Sequence, residues 1–232
     1  VYIMSGEIID LIKGKELFSS LSKQDLSVLE PFLYERTLKK GQYLFWQGDP
    51  RQRIYYLLDG YVTLEKSNKQ GSMQYNQYIK KDTLFPYNGL FTGSKEYCHS
   101  AIAETDIHVV YLSTDVFESF LSKHNRLLQK VIKEYGKILE GQEKRIQHGI
   151  IPNAQERVLN SISYLMMDLG VEYPDYIRID FPFTTSKLSV LSGTSRETAS
   201  LVINKLKREK KLTIKEKMIY IHEPQYFEKL VI

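Results

Sequence analysis

Thr184-Thr185-Ser186-Lys187-Leu188-Ser189-Val190-Leu191-Ser192-Gly193-Thr194-Ser195-Arg196-Glu197-Thr198-Ala199-Ser200 is the stretch on which the reading of this chain turns. Thr184 or Thr185 can cap a short helix, Ser186–Leu191, with Leu188 and Leu191 facing inward. Gly193 then supplies a tight turn, because glycine enters the left-handed region at little cost. Thr194 or Ser195 caps a second helix running to about Lys210, with Ala199, Val202, Ile203 and Leu206 as its buried stripe. Two helices joined by a short glycine turn form a helix-turn-helix arrangement. On the solvent side of the second helix, Arg196, Glu197 and Ser200 fall at i, i+1 and i+4. Arginine pairs in bidentate fashion with guanine O6 and N7, glutamate accepts from cytosine N4, and serine serves base or phosphate. Lys205, Lys207, Arg208, Lys210 and Lys211 follow where phosphates would lie. Leu212–Ile214 and Met218–Ile221 read as a β-hairpin wing. An αα-hairpin with a capped surface is the bland alternative on these residues alone.

Charge supports the less bland reading. The 232-residue chain carries +4, and Thr184–Ile232 holds ten Lys/Arg against five acids. That segment is therefore +5 and the remainder −1, which points to a polyanionic partner for the last fifth alone. Hydrophobic residues make up 42% and charged residues 26%, a globular composition long enough for two domains. No apolar run approaches the about 20 residues of a membrane span, and no signal peptide is evident, so a soluble cytoplasmic protein is expected. A single cysteine, Cys98, excludes an internal disulfide, a CxxC zinc site and a cysteine-ligated iron–sulfur cluster.

Upstream, Lys15–Tyr34 has helix-like spacing with Ser22 as an N-cap. From about Thr37 the pattern changes to short apolar stretches, Gln42–Trp46, Ile54–Leu58, Tyr61–Lys66, Met73–Ile79, Ala101–Thr105 and Ile107–Leu112. Gly41, Gly48-Asp49-Pro50, Asp59-Gly60, Asn68–Gly71 and Asn88-Gly89 punctuate them, which predicts an antiparallel barrel or sandwich. Leu128, Ile132, Tyr135, Leu139, Gln142 and Ile146 are then spaced 4, 3, 4, 3, 4, an a/d seam. A helix from His124 to His148 would be about 37 Å long. Such a seam suits a dimerising coiled coil, the alternative being a helix packed on its own barrel. Gly149–Asn153 breaks it and is the expected hinge. Asn153 caps a further helix, Ala154 to about Leu169, closed by Gly170.

Ser195-Arg196-Glu197-Thr198, preceded by Leu188-x-x-Leu191-x-Gly193 and followed by Val202, Leu206 and the wing, closely resembles the winged helix of the CRP/FNR bacterial transcription regulators. The resemblance covers nearly the whole chain. Lys40-Gly41-Gln42-x-x-Phe45 with Gln47-Gly48-Asp49-Pro50 resembles the family's first β-roll turn, and Tyr56-x-Leu58-x-Gly60-x-Val62 its next strands. Gly89-Leu90-Phe91 and Ser100-Ala101 resemble the edges of its effector cassette. The implied fold is α+β, with an N-terminal antiparallel β-roll of the cyclic-nucleotide-binding kind over residues 1–123, a dimerisation helix over 124–149, and a C-terminal winged helix-turn-helix over 150–232. The implied function is a regulator binding palindromic promoter DNA as a homodimer, with RNA polymerase as a further partner.

Carried over by position, Arg196 and Glu197 match residues that read a G·C pair in each half-site, Ser200 matches a base-contacting serine of the FNR branch, and Thr184 a phosphate-contacting threonine. Where the family has a third arginine this chain has Leu201, which points away from an exact TGTGA-type half-site. The cyclic AMP binders carry Gly-Glu and Arg-Ser pairs around the Gly-Leu-Phe segment; here those places hold Pro86, Tyr87, His99 and Ser100. Tyrosine lacks the carboxylate's acceptor capacity and histidine is mostly neutral at pH 7. No cyclic AMP binding and no iron–sulfur cluster are therefore expected, and the effector is not readable. Tyr87, His99 and Ser100 mark the effector pocket, with Tyr75, Tyr78, Phe85, Phe91 and Tyr97 as further aromatic candidates or ordinary core. Leu84–Phe91 is similar to a Gram-positive branch tied to arginine deiminase genes. The competing class is a cyclic-nucleotide or other small-ligand sensing module without direct promoter regulation; it leaves Arg196, Glu197 and the wing unexplained. No nucleophile–base grouping, metal motif or phosphate loop argues for an enzyme.

Overall fold

The computed structural model describes residues 6–68, 70 and 74–230. The chain divides into two compact units, residues 1–137 and 138–232. The expected turn over Asn68–Gly71 and the first residue of the Met73–Ile79 strand lie partly outside the described residues.

In the first unit, α1 (Gly6–Ile12), a 3-10 turn (Glu16–Phe18), α2 (Lys23–Leu29) and a second 3-10 turn (Glu30–Phe32) precede the strands. Ser22 caps α2 as its sequence predicts: its hydroxyl accepts the Asp25 N–H while the Asp25 carboxylate accepts the Ser22 N–H, a reciprocal capping box. Eight strands follow: β1 (Tyr34–Leu38), β2 (Tyr43–Phe45), β3 (Arg53–Asp59), β4 (Val62–Ser67), β5 (Gln74–Ile79), β6 (Thr83–Phe85), β7 (Ser100–Ala103) and β8 (Ile107–Ser113). They form two four-stranded antiparallel sheets, β1-β8-β3-β6 and β2-β7-β4-β5. Tyr34, which the helical spacing includes, instead opens β1 opposite Tyr111. β1 and α3 (Thr114–Lys123, capped by Ser113) are elements that the sequence reading does not contain.

β3 shows why its run is apolar without alternation. Tyr55 and Leu57 join Phe45, Val62, Leu64, Phe85, Ala101 and Val109 in one core fed by both sheets. Ile54, Tyr56 and Leu58 turn the other way and pack with Leu26, Leu29, Phe117, Leu121, Leu127 and Val131 of the helices. A strand covered on both faces must be apolar at successive positions.

α4 runs from Asn125 to Ile150, 26 residues, and the division between the units falls within it. The second unit continues with α5 (Ala154–Leu169), β9 (Gly170–Tyr173), β10 (Tyr176–Ile179), α6 (Thr185–Ser192), α7 (Arg196–Arg208), β11 (Leu212–Lys215), β12 (Met218–Ile221) and α8 (Pro224–Glu228). β11-β12-β10-β9 is a four-stranded antiparallel sheet, so the wing is the outer half of a larger sheet than the sequence suggests. Asn153 caps α5 by accepting the Gln155 and Glu156 N–H groups.

Gly60, at φ +86°, turns β3 into β4. A Cβ there would lie 2.4 Å from the Asp106 carbonyl oxygen. Gly60→Ala is expected to destabilise the first unit by at least the ~1–3 kcal/mol of a residue forced into a sparse backbone region. Urea denaturation reads this; an unchanged midpoint would contradict the close approach.

Candidate nucleic-acid interface

The turn that presents α7 is built from small hydroxyl side chains and one glycine. The Thr184 hydroxyl accepts the Lys187 N–H at 3.1 Å and starts α6. Gly193 ends it in the left-handed conformation at φ +57°. The Ser195 hydroxyl accepts the Thr198 N–H at 3.1 Å and lies 3.2 Å from the Thr198 hydroxyl, starting α7. Of the alternatives open in the sequence, Thr184 and Ser195 are the caps. Behind the turn, the Arg157 guanidinium of α5 donates to the carbonyls of Ser192 at 3.1 Å and Gly193 at 3.2 Å. The same group donates to Ile151 at 2.8 Å and Pro152 at 3.1 Å, in the break after α4.

Ala199, Val202, Ile203 and Leu206 of α7 are buried, as their spacing predicts. Arg196, Glu197, Leu201, Asn204, Lys205, Lys207 and Arg208 are exposed, and Ser200 is half-buried, 3.5 Å from the Asn204 amide nitrogen. Hydrogen bonds from its own N–H and from the Ser195 hydroxyl hold the Glu197 carboxyl below the usual range, so it is an acceptor throughout neutral pH. Lys211 is otherwise engaged: its ammonium is 2.7 Å from Glu209 and 3.7 Å from the centre of the Tyr226 ring. The wing turn places Glu216 and Lys217 at φ +51° and +66°, as a two-residue hairpin turn requires. The Phe183 N–H donates to the Lys217 carbonyl at 2.7 Å, tying the wing tip to the entry of α6.

On α4 the expected seam separates. Leu128 and Tyr135 pack against the helical core of the first unit, alongside Leu127 and Val131. Ile132, Leu139 and Ile146, seven residues apart, are 60%, 63% and 65% exposed, and Gln142 is half-buried.

In the β-roll, Tyr87 hydrogen-bonds the Gln77 side-chain oxygen, toward which the Tyr75 hydroxyl also points at 3.5 Å. The Tyr75 and His99 ring centres are 5.9 Å apart. His99 is 5% exposed, and its Nδ1 meets no hydrogen-bond partner among the described residues. Burial, aided by the Lys66 charge, pushes its pKa down to about 4. Ser100 opens β7, whereas His99 sits in the bend before it. Its hydroxyl accepts the Gln47 N–H at 2.9 Å, beside a cleft of ≈ 470 Å³ lined by Tyr43, Trp46 and Glu65. Tyr87 and His99 thus share one cluster, while Ser100 does not. Phe85 and Tyr97 are core, Tyr97 stacking on Phe45 at 3.8 Å, and Phe91 is 52% exposed.

Residues 35–124 match the cyclic nucleotide-binding domain, and residues 156–230 the Crp-like helix-turn-helix domain. The HTH-type transcriptional regulator ArcR of Staphylococcus epidermidis is 31% identical over 193 residues, covering 80% of this chain and 82% of that protein. The chain belongs to the CRP/FNR family of transcription regulators. Solved structures agree in fold. FixK2 of Bradyrhizobium japonicum gives a TM-score of 0.73 at 17% identity, covering 86% of this chain and 98% of that one. A CooA mutant of Carboxydothermus hydrogenoformans gives 0.70 at 17%, covering 89% and 90%. The family's members are regulators rather than enzymes, and the relatives named ArcR fall where the Leu84–Phe91 resemblance places the chain.

For a CRP/FNR-family chain, two of these residues, Arg157 and Gln77, escape sequence reading. Arg157 lies far from the motif, and only its position behind the turn gives it a role. Gln77, buried at 7% exposure, carries no signal in a strand that also holds Gln74 and Asn76. Leu201 and Asn204 were legible: a 3.6-residue period places them with Glu197 and Arg208, opposite the buried stripe. Among the described residues no group of three or more His, Cys, Asp or Glu side chains is placed to hold a metal ion.

His99 predicts a pH dependence. Its folded pKa of about 4 lies below the ordinary 6.5, so the unfolded chain takes up the proton first as pH falls. Stability of the first unit should therefore decline from about pH 6.5 down to pH 4, by up to ~3 kcal/mol over that window. His99→Gln is expected to flatten this component in urea melts at stepped pH; an unchanged slope would contradict a neutral, buried imidazole.

Proposed function

We propose that this CRP/FNR-family regulator binds palindromic promoter DNA as a homodimer and senses an effector other than cyclic AMP, acting with RNA polymerase in the cytoplasm. The observation that carries the reading is the face of α7: Arg196 and Glu197 stand exposed in its first turn, beyond a capped turn, with Lys205, Lys207 and Arg208 exposed two turns later. Base-edge readers at the entrance and cations further along are the division of labour between discrimination and salt-dependent affinity. Thr184 and Ser195 act at the helix starts, where N–H groups favour a phosphate, and Ser200 lies one turn beyond Arg196. In this reading residues 1–123 sense, 124–149 pair and 150–232 read DNA.

Pairing through α4 is supported by the heptad line of Ile132, Leu139 and Ile146, an apolar edge left in water by the single chain. Leu128 and Tyr135 border that line from the first unit's core, and Gln142 is its polar member.

The β-roll side chains do not suit a cyclic nucleotide. In relatives that bind one, the resemblance implies a carboxylate for the ribose and a guanidinium for the phosphate. Here Tyr87 is bonded to Gln77 and His99 is uncharged at neutral pH. Neither supplies the charge, and a neutral, hydrogen-bonding effector fits the cluster better. No helix among the described residues is long and apolar enough to cross a membrane.

Arg196→Ala is expected to remove discrimination at one base pair of each half-site, at about 1–3 kcal/mol per contact. Lys207→Ala should weaken all sequences alike and reduce the salt slope by about 1 per phosphate lost. Fluorescence anisotropy against duplexes selected from a random palindromic pool reads both. Unchanged discrimination in Arg196→Ala would overturn the assignment of α7.

A further inference from the structure

α7 holds one large hydrophobic side chain that the fold leaves in water. Leu201 is 54% exposed, whereas Ala199, Val202, Ile203 and Leu206 are buried. Glu197, Leu201, Asn204 and Arg208 follow one another at spacings of 4, 3 and 4, a single line down the centre of the outward face. Leu201 therefore stands in the middle of the surface that would enter a groove, flanked by Lys205 and Arg208, which draw in a polyanion. No described residue of the second unit buries it, so a partner that does so would be apolar and would lie among charges.

In the major groove, one base edge meets that description. Guanine, cytosine and adenine present only donors and acceptors, and thymine adds the C5 methyl group. A leucine set against a G·C pair would also strip water from polar edges without replacing their hydrogen bonds.

We propose that Leu201 is a specificity-determining residue that packs on the C5 methyl of a thymine in each half-site, next to the pair read by Glu197. The inference rests on the reading of α7 as the DNA-contacting helix and adds a base preference to it. Side chains at i and i+4 are about 5–6 Å apart at Cβ, and base pairs succeed one another every ~3.4 Å. The thymine is thus placed within two base pairs of the C·G pair that Glu197 contacts.

The test uses the full-length protein and its selected palindrome, with each thymine replaced in turn by uracil, which lacks only that methyl group. Glu197→Ala first locates the C·G pair by its loss of discrimination there. Wild-type protein should then show one uracil-sensitive position within two base pairs of it. Binding should fall about fourfold per half-site and about fifteenfold for both, the value of one buried methyl-sized group. Leu201→Ala should be indifferent to uracil at that position while still discriminating at the C·G pair, and Leu201→Arg should shift the preference there to guanine. The proposal is overturned if no such position exists, or if Leu201→Ala keeps the wild-type uracil sensitivity. If no duplex is selected at all, the DNA-binding reading of α7 falls and this inference falls with it; a selected palindrome without uracil sensitivity removes the role of Leu201 alone.

Discussion

One guanidinium ties two bends of the second unit together. Arg157 donates to four backbone carbonyls, two in the break after α4, at Ile151 and Pro152, and two at the α6–α7 turn, at Ser192 and Gly193. Hydrogen bonds from a charged donor are roughly twice as strong as neutral ones, and a planar fork with five N–H groups can reach two bends at once. The turn conformation then needs only local chemistry: glycine at positive φ, the Ser192 hydroxyl returning to the Leu188 carbonyl at 2.7 Å, and Ser195 as cap. With these fixed, burial of Ala199, Val202, Ile203 and Leu206 decides which side of α7 faces water.

The β-roll follows a different logic. Its two sheets close over an aromatic and aliphatic core, with Phe45, Tyr55, Phe85 and Tyr97 stacked through it. Polar groups collect at one place, where Gln77 receives Tyr87 and Tyr75 and His99 lies alongside. Burial keeps that imidazole neutral, so it offers the cluster a hydrogen-bonding ring and no charge of its own. Tyr87 also meets Tyr135 of α4 edge-on, with ring centres 6.2 Å apart, so the polar cluster adjoins the long helix.

Legibility in the sequence tracked how local the cause was. Ser22, Asn153, Thr184 and Ser195 cap helices through bonds that span two or three residues; the first two were readable from their own neighbourhood, and the last two to within one adjacent residue. β3 and β8 were readable because both of their faces are covered. β1 was not: of its five residues only Leu38 is buried, and pairing with β8 rather than hydrophobicity makes it a strand. The β9–β10 hairpin was missed for the same reason, since of Val171, Tyr173 and Ile177 none is fully buried. On α4, Leu127 and Val131 pack on the helix's own unit with Leu128 and Tyr135 beside them, while Ile132, Leu139 and Ile146 of the expected seam are outward. Arg157 and Gln77 act on partners distant in sequence or hidden in the fold, and no short pattern encodes them.

The functional reading joins the outward line of α4 to the outward face of α7: two copies paired along the first would offer two of the second to one duplex. The most direct measurement is the affinity and stoichiometry of the full chain on palindromes whose half-sites are moved apart one base pair at a time. Pairing through α4 predicts two chains per duplex and tightest binding when the half-site centres are one helical turn apart, about 10–10.5 base pairs. One chain per duplex, with a single half-site bound as tightly as the palindrome at every spacing, would contradict it.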